Sequence, residues 1–169
     1  MLPGRHLVAL LLLWSAFADL CFAADIWKVR EDGVGPVEIG ITLSRLNAAL
    51  YETFAMPADK EAQGCFYVTP KKHPEISFMI ENGRVARVDV NHPGVLTSEG
   101  IQVGDTEARA KEVYGARLTI EPHKYTDGHY LTVRSSAGGY GVRFETDRGK
   151  ITTYYAGLYD AIRLVERCG

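Results

Sequence analysis

A short polar run in the second half of the chain carries residue types that metal sites use. His123, Asp127 and His129 lie within seven residues of one another around a predicted turn. Two imidazoles and one carboxylate can bind a metal ion when their side chains converge. This run is therefore the candidate for a metal or small-ligand site, or for a weak hydrolase. The alternative is a polar hairpin whose histidines lie in water at the strand ends.

Motifs for other catalytic chemistry are absent from the sequence. It contains no Gly-x-Ser-x-Gly nucleophile elbow, no phosphate-binding Walker loop and no dinucleotide-binding glycine fingerprint. Two carboxylates for glycoside hydrolysis could meet from distant positions, but nothing in the sequence selects a pair. The sequence therefore favours a non-catalytic protein without a cofactor, and it leaves enzyme activity open.

A repeated pattern supplies the elements that would position these residues. Two segments contain Gly-x-Thr-x-x-Arg and align on Gly40 and Gly104. Thr42 and Thr106 are suited to cap the first turn of a helix. The next predicted hairpin glycine follows 43 residues after the first of these glycines and 45 residues after the second. This match indicates an internal duplication.

Predicted β-strands follow each helix. Alternating apolar and polar residues, separated by turn sequences such as Asn82-Gly83, predict hairpins in both halves. The predicted strands comprise residues 65–69, 75–81, 84–91, 116–122, 129–135, 140–146 and 150–156. The fold class that follows is α+β, with two tandem copies of a helix packed on a three- to four-stranded antiparallel β-meander.

Residues 1–23 are predicted to be a secretory signal peptide. A positive segment precedes an apolar run of eleven residues, Leu7 to Phe17, and small residues follow around Ala23. One alternative is a membrane anchor, which needs roughly 20 apolar residues, whereas Asp19 interrupts this stretch. Another is lipidation of Cys21. Cleavage after Ala23 predicts a periplasmic or secreted protein with no transmembrane span in the mature chain.

The rest of the chain divides into two predicted repeats. We expect the first α+β repeat over residues 24–91, a linker over 92–100 and the second repeat over 101–169. Because a single half buries little core, the two halves are expected to pack as one unit.

Cys65 and Cys168 are the cysteines that remain of three once the signal peptide is removed. Two cysteines in an exported chain most simply form one disulfide. The bond would close a long loop, and the chain-entropy model gives a stabilisation of roughly 4–5 kcal/mol for a loop of about 100 residues. The alternative is two free thiols, one of them catalytic.

The charge of the chain argues against nucleic-acid binding. There are 19 basic and 21 acidic residues, for a net charge of −2. A nucleic-acid binder needs a basic face that releases counterions from phosphates. We therefore expect no nucleic-acid partner.

Strand alternation predicts an outward sheet face that combines tyrosine and arginine, the residues that dominate protein-binding hot spots. The alternative is a solvated face on which Tyr–Arg pairs pack across strands. The residues predicted to bind a partner are Tyr130, Arg134, Arg143 and Tyr154 in the second half, with Arg87 and Asp89 in the first.

The duplicated Gly-x-Thr helix start and the meander that follows it resemble a known group of exported repeat proteins. Gly40, Thr42, Gly104, Thr106 and the hairpin turns are similar to those of the BLIP-like and SmpA/OmlA (BamE-like) proteins. The first are tandem-repeat inhibitors of β-lactamase, and the second are outer-membrane assembly lipoproteins. The resemblance implies an architecture, and no inhibitory or assembly residue is carried over.

The leading hypothesis is an exported, non-catalytic protein-binding module of the inhibitor or envelope-assembly type. Its partner would be another protein of the cell envelope or an extracellular enzyme. The alternative is a periplasmic protein that binds a small ligand or a metal, including a weak hydrolase. A third interpretation is a structural envelope protein that contacts the cell wall or the membrane surface.

Overall fold

The computed structural model describes residues 27–168, so the predicted signal peptide and Cys21 lie outside the described residues. Within this range the two α-helices are α1 (Leu43–Leu50) and α2 (Glu107–Tyr114), and short 3₁₀ helices span Gly115–Arg117 and Ala161–Arg163. The strands are β1 (Val29–Arg30), β2 (Gly33–Val34), β3 (Val37–Glu38), β4 (Cys65–Val68), β5 (Ile76–Glu81), β6 (Arg84–Val90), β7 (Leu118–Pro122), β8 (His129–Arg134), β9 (Tyr140–Asp147) and β10 (Lys150–Leu158).

Seven of these strands form one antiparallel sheet in the order β4-β5-β6-β10-β9-β8-β7. Strands β6 and β10 meet inside it, with Tyr154 opposite Val90 and Gly157 opposite Arg87. Strands β1 to β3 form a separate small sheet. The pairing of β6 with β10 therefore joins the two halves of the chain into one continuous layer.

The predicted α+β fold class is wrong. Residues 27–168 form a β-rich fold with a three-stranded and a seven-stranded sheet, and the two α-helices in this range have only eight residues each. A meander that ended at β6 or at β10 would leave a row of unpaired backbone groups, and pairing the two strands satisfies both rows. Strand periodicity does not report which distant strands pair, so the sequence did not indicate this contact. The predicted repeat boundaries stay a prediction.

Both helix starts have the same local structure. Thr42 and Thr106 cap their helices as predicted, and each hydroxyl accepts the backbone N–H three residues on, at 3.3 and 3.1 Å respectively. The N–H of Gly40 donates to a carbonyl of β6 at 2.7 Å, and that of Gly104 donates to a carbonyl of β10 at 2.8 Å. Each helix is therefore tied to the hairpin that follows it in sequence.

The helix side of the large sheet forms the hydrophobic core. The α-helices contribute four buried side chains, Leu46, Leu50, Ala110 and Tyr114. These pack in one cluster with sheet residues that include Phe78, Val88, Leu131, Val133, Phe144 and Tyr154. Full burial of a large apolar side chain contributes roughly 1.5–3 kcal/mol, so this cluster is a main source of stability.

Gly157 allows the two central strands to approach closely. Its φ is +151°, and a Cβ at this position would lie 2.4 Å from the carbonyl oxygen of Ala86 and 2.6 Å from the Cα of Arg87. Any side chain here would push β10 away from β6. The joint between the two halves therefore depends on this residue's lack of a side chain.

Cys65 and Cys168 form a disulfide, as predicted, and their Cα atoms are 5.4 Å apart. The bond fastens the end of the chain to β4, which is an edge strand of the large sheet. Within residues 27–168, no helix has the length and apolar character needed to cross a bilayer.

Loss of the disulfide is expected to destabilise the protein. Because the bond restricts the unfolded chain over a separation of 103 residues, replacing both cysteines by serine should lower the free energy of unfolding by about 4 kcal/mol. Urea unfolding of the oxidised protein and the double variant measures this difference. Wild-type protein in excess dithiothreitol is the matched control and should resemble the variant. Equal stability of all three would contradict the prediction.

Candidate functional site

The large sheet has a second face, opposite the helices, which we call the polar face. Its middle is covered by residues 159–168, which we call the C-terminal segment. This segment contacts β6, β9 and β10, and its Ile162 side chain is fully buried. Strand alternation places the following side chains on the polar face: Tyr67, Met79, Arg87, Asp89, Tyr130, Thr132, Arg143, Glu145 and Tyr155.

The Arg87 side chain is fully buried, and every N–H of its guanidinium has an acceptor. Its Nε and Nη2 groups donate to the two carboxylate oxygens of Asp89, at 2.7 and 3.0 Å. Nη2 also donates to the Tyr67 hydroxyl at 2.8 Å. Nη1 donates to the main-chain carbonyls of Ala161 and Leu164, at 2.8 and 3.2 Å. The five donors of the guanidinium are therefore used within the chain.

Burial and charge act against each other at this ion pair. Burial lowers the pKa of Arg87, but the hydrogen bond and charge of Asp89 outweigh it, so that the pKa is raised. Burial and the same carboxylate raise the pKa of Tyr67 to about 12. Tyr67 therefore keeps the proton that it donates to Asp89, at 3.1 Å. The Arg87–Asp89 pair therefore holds the C-terminal segment in place, and its charged groups are already paired within the chain.

A second cluster on the polar face is built on the Tyr130 ring. The Arg143 guanidinium lies 4.1 Å from the centroid of this ring. The His123 ring stacks on the Tyr130 ring, with the two centroids 4.3 Å apart. Nη1 of Arg143 also donates to the Glu121 carboxylate at 3.2 Å and to the Thr132 hydroxyl at 3.1 Å. These contacts fasten the edge strand β7 to β8 and β9.

Hydrogen bonds define where His123 carries its proton. Its Nδ1 accepts the backbone N–H groups of Tyr125 and Thr126, at 3.0 and 3.1 Å. The neutral ring therefore has its proton on Nε2, which lies 3.5 Å from the Glu145 carboxylate. The side chain closes the loop between β7 and β8, and Nδ1 has no free lone pair for a ligand.

The three residues of the candidate metal site do not converge. His129 pairs through Nδ1 with Glu107 at 2.9 Å, whereas His123 faces Glu145. Asp127 lies in the loop between the two histidines. Across residues 27–168, no group of three His, Cys, Asp or Glu side chains is arranged to hold a metal ion.

Glu107 joins the start of α2 to the sheet. Its Oε1 accepts the Thr146 hydroxyl at 2.6 Å and His129 Nδ1 at 2.9 Å, and its Oε2 lies 3.3 Å from Lys111 Nζ. Burial raises the pKa of Glu107, but the hydrogen bonds from Thr146, His129 and Lys111 outweigh it and hold the pKa below its usual value of 4.5. The ionised carboxylate is therefore a structural connection between α2, β8 and β9.

Most of the residues predicted to bind a partner make internal contacts. Arg87 and Asp89 form the buried ion pair, and Tyr130 and Arg143 form the stacked cluster. Arg134 is exposed, and its guanidinium lies 4.5 Å from the centroid of the Tyr159 ring. Whether any of these residues contacts a partner stays a prediction.

Tyr154 lies on the helix side of the sheet, and the face assigned to it from strand alternation needs correction. The register between β9 and β10 shifts between Ile151 and Thr153, and this bulge reverses the alternation beyond it. Tyr155 takes the place on the polar face instead. There, burial and the adjacent Glu145 carboxylate raise the pKa of Tyr155.

Among residues 27–168, two of the clefts are lined by residues outside the clusters described above. One of about 580 Å³ lies beside the C-terminal end of α1 and is lined in part by Tyr51 and Lys72. The other, of about 330 Å³, is lined by charged residues that include Arg30, Glu99 and Arg117. Neither cleft was predicted from the sequence.

The sequence contained one signal for the covered polar face. A disulfide between Cys65 and Cys168 requires the chain after β10 to cross the sheet and reach β4. Tyr51 carried no comparable signal, because its unusual backbone conformation is visible only in three dimensions.

Removal of the Arg87 charge is expected to destabilise the protein strongly. Arg87→Met leaves Asp89 buried without its cation and two carbonyls without donors, which should cost about 3–5 kcal/mol in the free energy of unfolding. The double variant Arg87→Met, Asp89→Leu should recover part of this loss, because no unpaired charge remains. Urea unfolding gives both values. A single variant as stable as the wild type would rule out this role for the ion pair.

Glu107 is expected to make stability depend on pH. Its pKa is lower in the folded than in the unfolded state, so its contribution is complete above pH 4.5 and is lost as the pH falls through the folded-state pKa. Glu107→Gln should lower the free energy of unfolding by about 1–2 kcal/mol at pH 7. The difference from wild type should shrink in acid. Glu112→Gln, an exposed change on the same helix, is the control and should have little effect at either pH.

Comparisons with known proteins do not place the chain in a family. No protein-family model and no curated protein matches it. Among solved structures, the uncharacterized protein yfeY from Escherichia coli is similar to it, with 12% sequence identity over 77% of this chain and 99% of that chain and a TM-score of 0.42. A similarity of this size supports no conclusion on fold or function. The resemblance to BLIP-like and BamE-like proteins therefore stays a prediction.

Proposed function

We propose that the protein is a non-catalytic protein-binding module that takes up an extended segment of its partner along β7. The observation that carries the proposal is the open outer edge of this strand. Within residues 27–168, no strand pairs with that edge, and the Ile120 side chain on it is 44% exposed. Addition of a strand to an open sheet edge is a common mode of peptide recognition.

The hydrogen-bond pattern supplies free backbone groups on this edge. The N–H of His123 donates to the carbonyl of Gly128 at 3.0 Å, which sets the alternation of bonds between β7 and β8. Thr119 and Glu121 then face β8, and the backbone of Leu118, Ile120 and Pro122 faces outward. Because proline has no N–H and the N–H of Leu118 donates to the carbonyl of Gly115, the edge offers one donor, from Ile120, and three acceptors to a partner strand.

The other edge of the sheet is less suited to this role. On β4, Phe66 and Val68 are buried, and Cys65 is bonded to the end of the chain. On β7, Thr119 and Ile120 are exposed, and Tyr125 in the following loop is 62% exposed. An extended segment along β7 would therefore meet an apolar side chain and an aromatic ring as well as free backbone groups.

The polar face supports this edge and would not itself be the main contact. Its Arg87 and Arg143 side chains have partners within the chain. Arg143 donates a hydrogen bond to Glu121 of β7, so it would affect binding by positioning the edge strand. The disulfide is typical of proteins in oxidising compartments. We therefore propose that the partner is another protein of the cell envelope or of the extracellular space.

Selection of peptides with and without an intact edge tests the proposal. Random 12-residue peptides displayed on phage are selected on purified, oxidised protein, and the enriched peptides are measured by calorimetry. Ile120→Pro removes an outward N–H and leaves the bonds to β8 in place. It should weaken peptide binding at least tenfold, whereas Ile120→Val should leave the affinity within about twofold, because it keeps the N–H and an apolar side chain.

Amide shift changes on peptide addition should be concentrated at residues 118–122. Thermal unfolding of both variants shows whether they remain folded. The proposal fails if repeated selections enrich no peptide, or if the peptides bind folded Ile120→Pro as tightly as the wild type.

A further inference from the structure

Tyr51 has a backbone conformation that L-amino acids rarely adopt. It ends α1 with φ of 53° and ψ of 37°, in the left-handed region. Its N–H bonds to the carbonyl of Ala48, and the N–H of Glu52 bonds to the carbonyl of Asn47 at 3.1 Å. This is a Schellman motif, which usually has glycine where Tyr51 stands. A bulky residue there is strained, and such strain often marks a functional position.

The second helix of the same chain has glycine at the matching place. Gly115 follows its capping residue Thr106 at the same distance at which Tyr51 follows Thr42. Its φ is also 53°. The chain therefore uses the unstrained residue at one helix end and a tyrosine at the other.

Packing of the Tyr51 side chain does not offset this backbone strain. It is 92% exposed, the most exposed of the large hydrophobic side chains in residues 27–168. The ring thus contributes little to the stability of the fold. Contact with a molecule outside the chain is a role that would account for it.

The loop that carries Tyr51 is held rigidly beside a cleft. The Asn47 side chain accepts the N–H of Phe54 at 3.0 Å and donates to its carbonyl at 3.1 Å. The Glu52 carboxylate accepts the N–H of Lys71 at 3.1 Å, which fixes the opposite wall. The cleft has a volume of about 580 Å³ and needs no large rearrangement to admit a ligand.

Aromatic, hydroxyl and charged groups line this cleft, and the charged groups include the Glu52 carboxylate, which accepts the N–H of Lys71 and is outnumbered by two lysines. Tyr51 supplies an aromatic face, and Thr53 and Thr69 supply hydroxyls, of which that of Thr69 also bonds to the Ser77 hydroxyl at 2.8 Å. Lys71 and Lys72 supply two ammonium groups, and neither forms an ion pair within the described part of the chain. Aromatic, hydroxyl and cationic groups together match a ligand that has a ring, several hydroxyls and a negative charge.

We propose that this cleft binds an acidic oligosaccharide. The Tyr51 ring would stack on the apolar face of a pyranose, since the negative face of an aromatic ring attracts polarised C–H groups. Lys71 and Lys72 would bind the sugar carboxylate, and the threonine hydroxyls would bind sugar hydroxyls. This site lies at the opposite edge of the sheet from β7 and does not depend on the function proposed above.

The position of the cleft favours a carboxylated sugar over a phosphate. It lies at the C-terminal end of α1, where the negative helix dipole disfavours anions and acts about twice as strongly against a doubly charged phosphate as against a singly charged carboxylate. It also contains no arginine, the residue that binds phosphate through paired hydrogen bonds. The exposed carbonyls of a helix end can accept hydrogen bonds from sugar hydroxyls.

Calorimetry with defined oligosaccharides tests the proposal. The probes are trigalacturonic acid, a hyaluronan tetrasaccharide and a heparosan tetrasaccharide, with neutral maltotriose and adenosine monophosphate as comparisons. At least one acidic sugar should bind the wild type, and maltotriose should bind at least tenfold more weakly. Amide shift changes should include residues 51–54 and 69–72. Failure of all three acidic sugars to bind would overturn the proposal, as would equal binding of adenosine monophosphate at these residues.

Tyr51→Gly separates a binding role from a structural one. Because glycine relieves the strained conformation, this variant should melt about 3 °C higher than the wild type, and its affinity for the acidic sugar should fall at least tenfold. Tyr51→Trp keeps a ring and should bind within about threefold of the wild type. Lys72→Gln should weaken binding and reduce its dependence on salt. Leu164→Ala, which removes an exposed apolar side chain elsewhere, is the matched control and should bind as the wild type does. Unchanged sugar affinity in Tyr51→Gly would overturn the proposal.

Discussion

The buried guanidinium of Arg87 constrains the rest of the structure. A charge held away from water requires a hydrogen-bond acceptor for every donor, and here the acceptors come from β4, β6 and the C-terminal segment. The positions of Tyr67, Asp89 and Ala161 are therefore coupled through one side chain. The disulfide fastens the same segment covalently. The ion pair and the disulfide together therefore hold the C-terminal segment over the middle of the polar face.

This cover decides which surfaces a partner can reach. Because the tyrosine and arginine side chains on the polar face contact one another, the groups that a partner can reach lie at the margins of the sheet. One margin is β7, where backbone groups and Ile120 face outward. The other is the end of α1, where Tyr51 stands in water in a strained conformation. The two proposed sites would bind through different interactions. The β7 edge would use main-chain hydrogen bonds, and the cleft beside Tyr51 would use side-chain stacking and charge.

Features that depend on neighbouring residues were predictable from the sequence. The capping role of Thr42 and Thr106, the hairpin at Asn82-Gly83 and the strand positions all follow from local patterns, and the structure has them. Tyr154 shows how such reasoning fails, because one bulge in β10 reversed the alternation on which its face was assigned. The metal site failed for another reason, since closeness in sequence did not make the side chains of His123 and His129 converge.

The sequence by itself determined the short-range structure: the turns, the helix caps, the strands and the pair of cysteines that could bond. Only the tertiary structure decided that β6 pairs with β10, that the C-terminal segment covers the polar face and that Tyr51 is strained and exposed. The physical reason is the range of the forces involved. Periodicity and capping act over a few residues, whereas strand partners and buried charges are chosen by satisfying every backbone and polar group at once, across the whole chain.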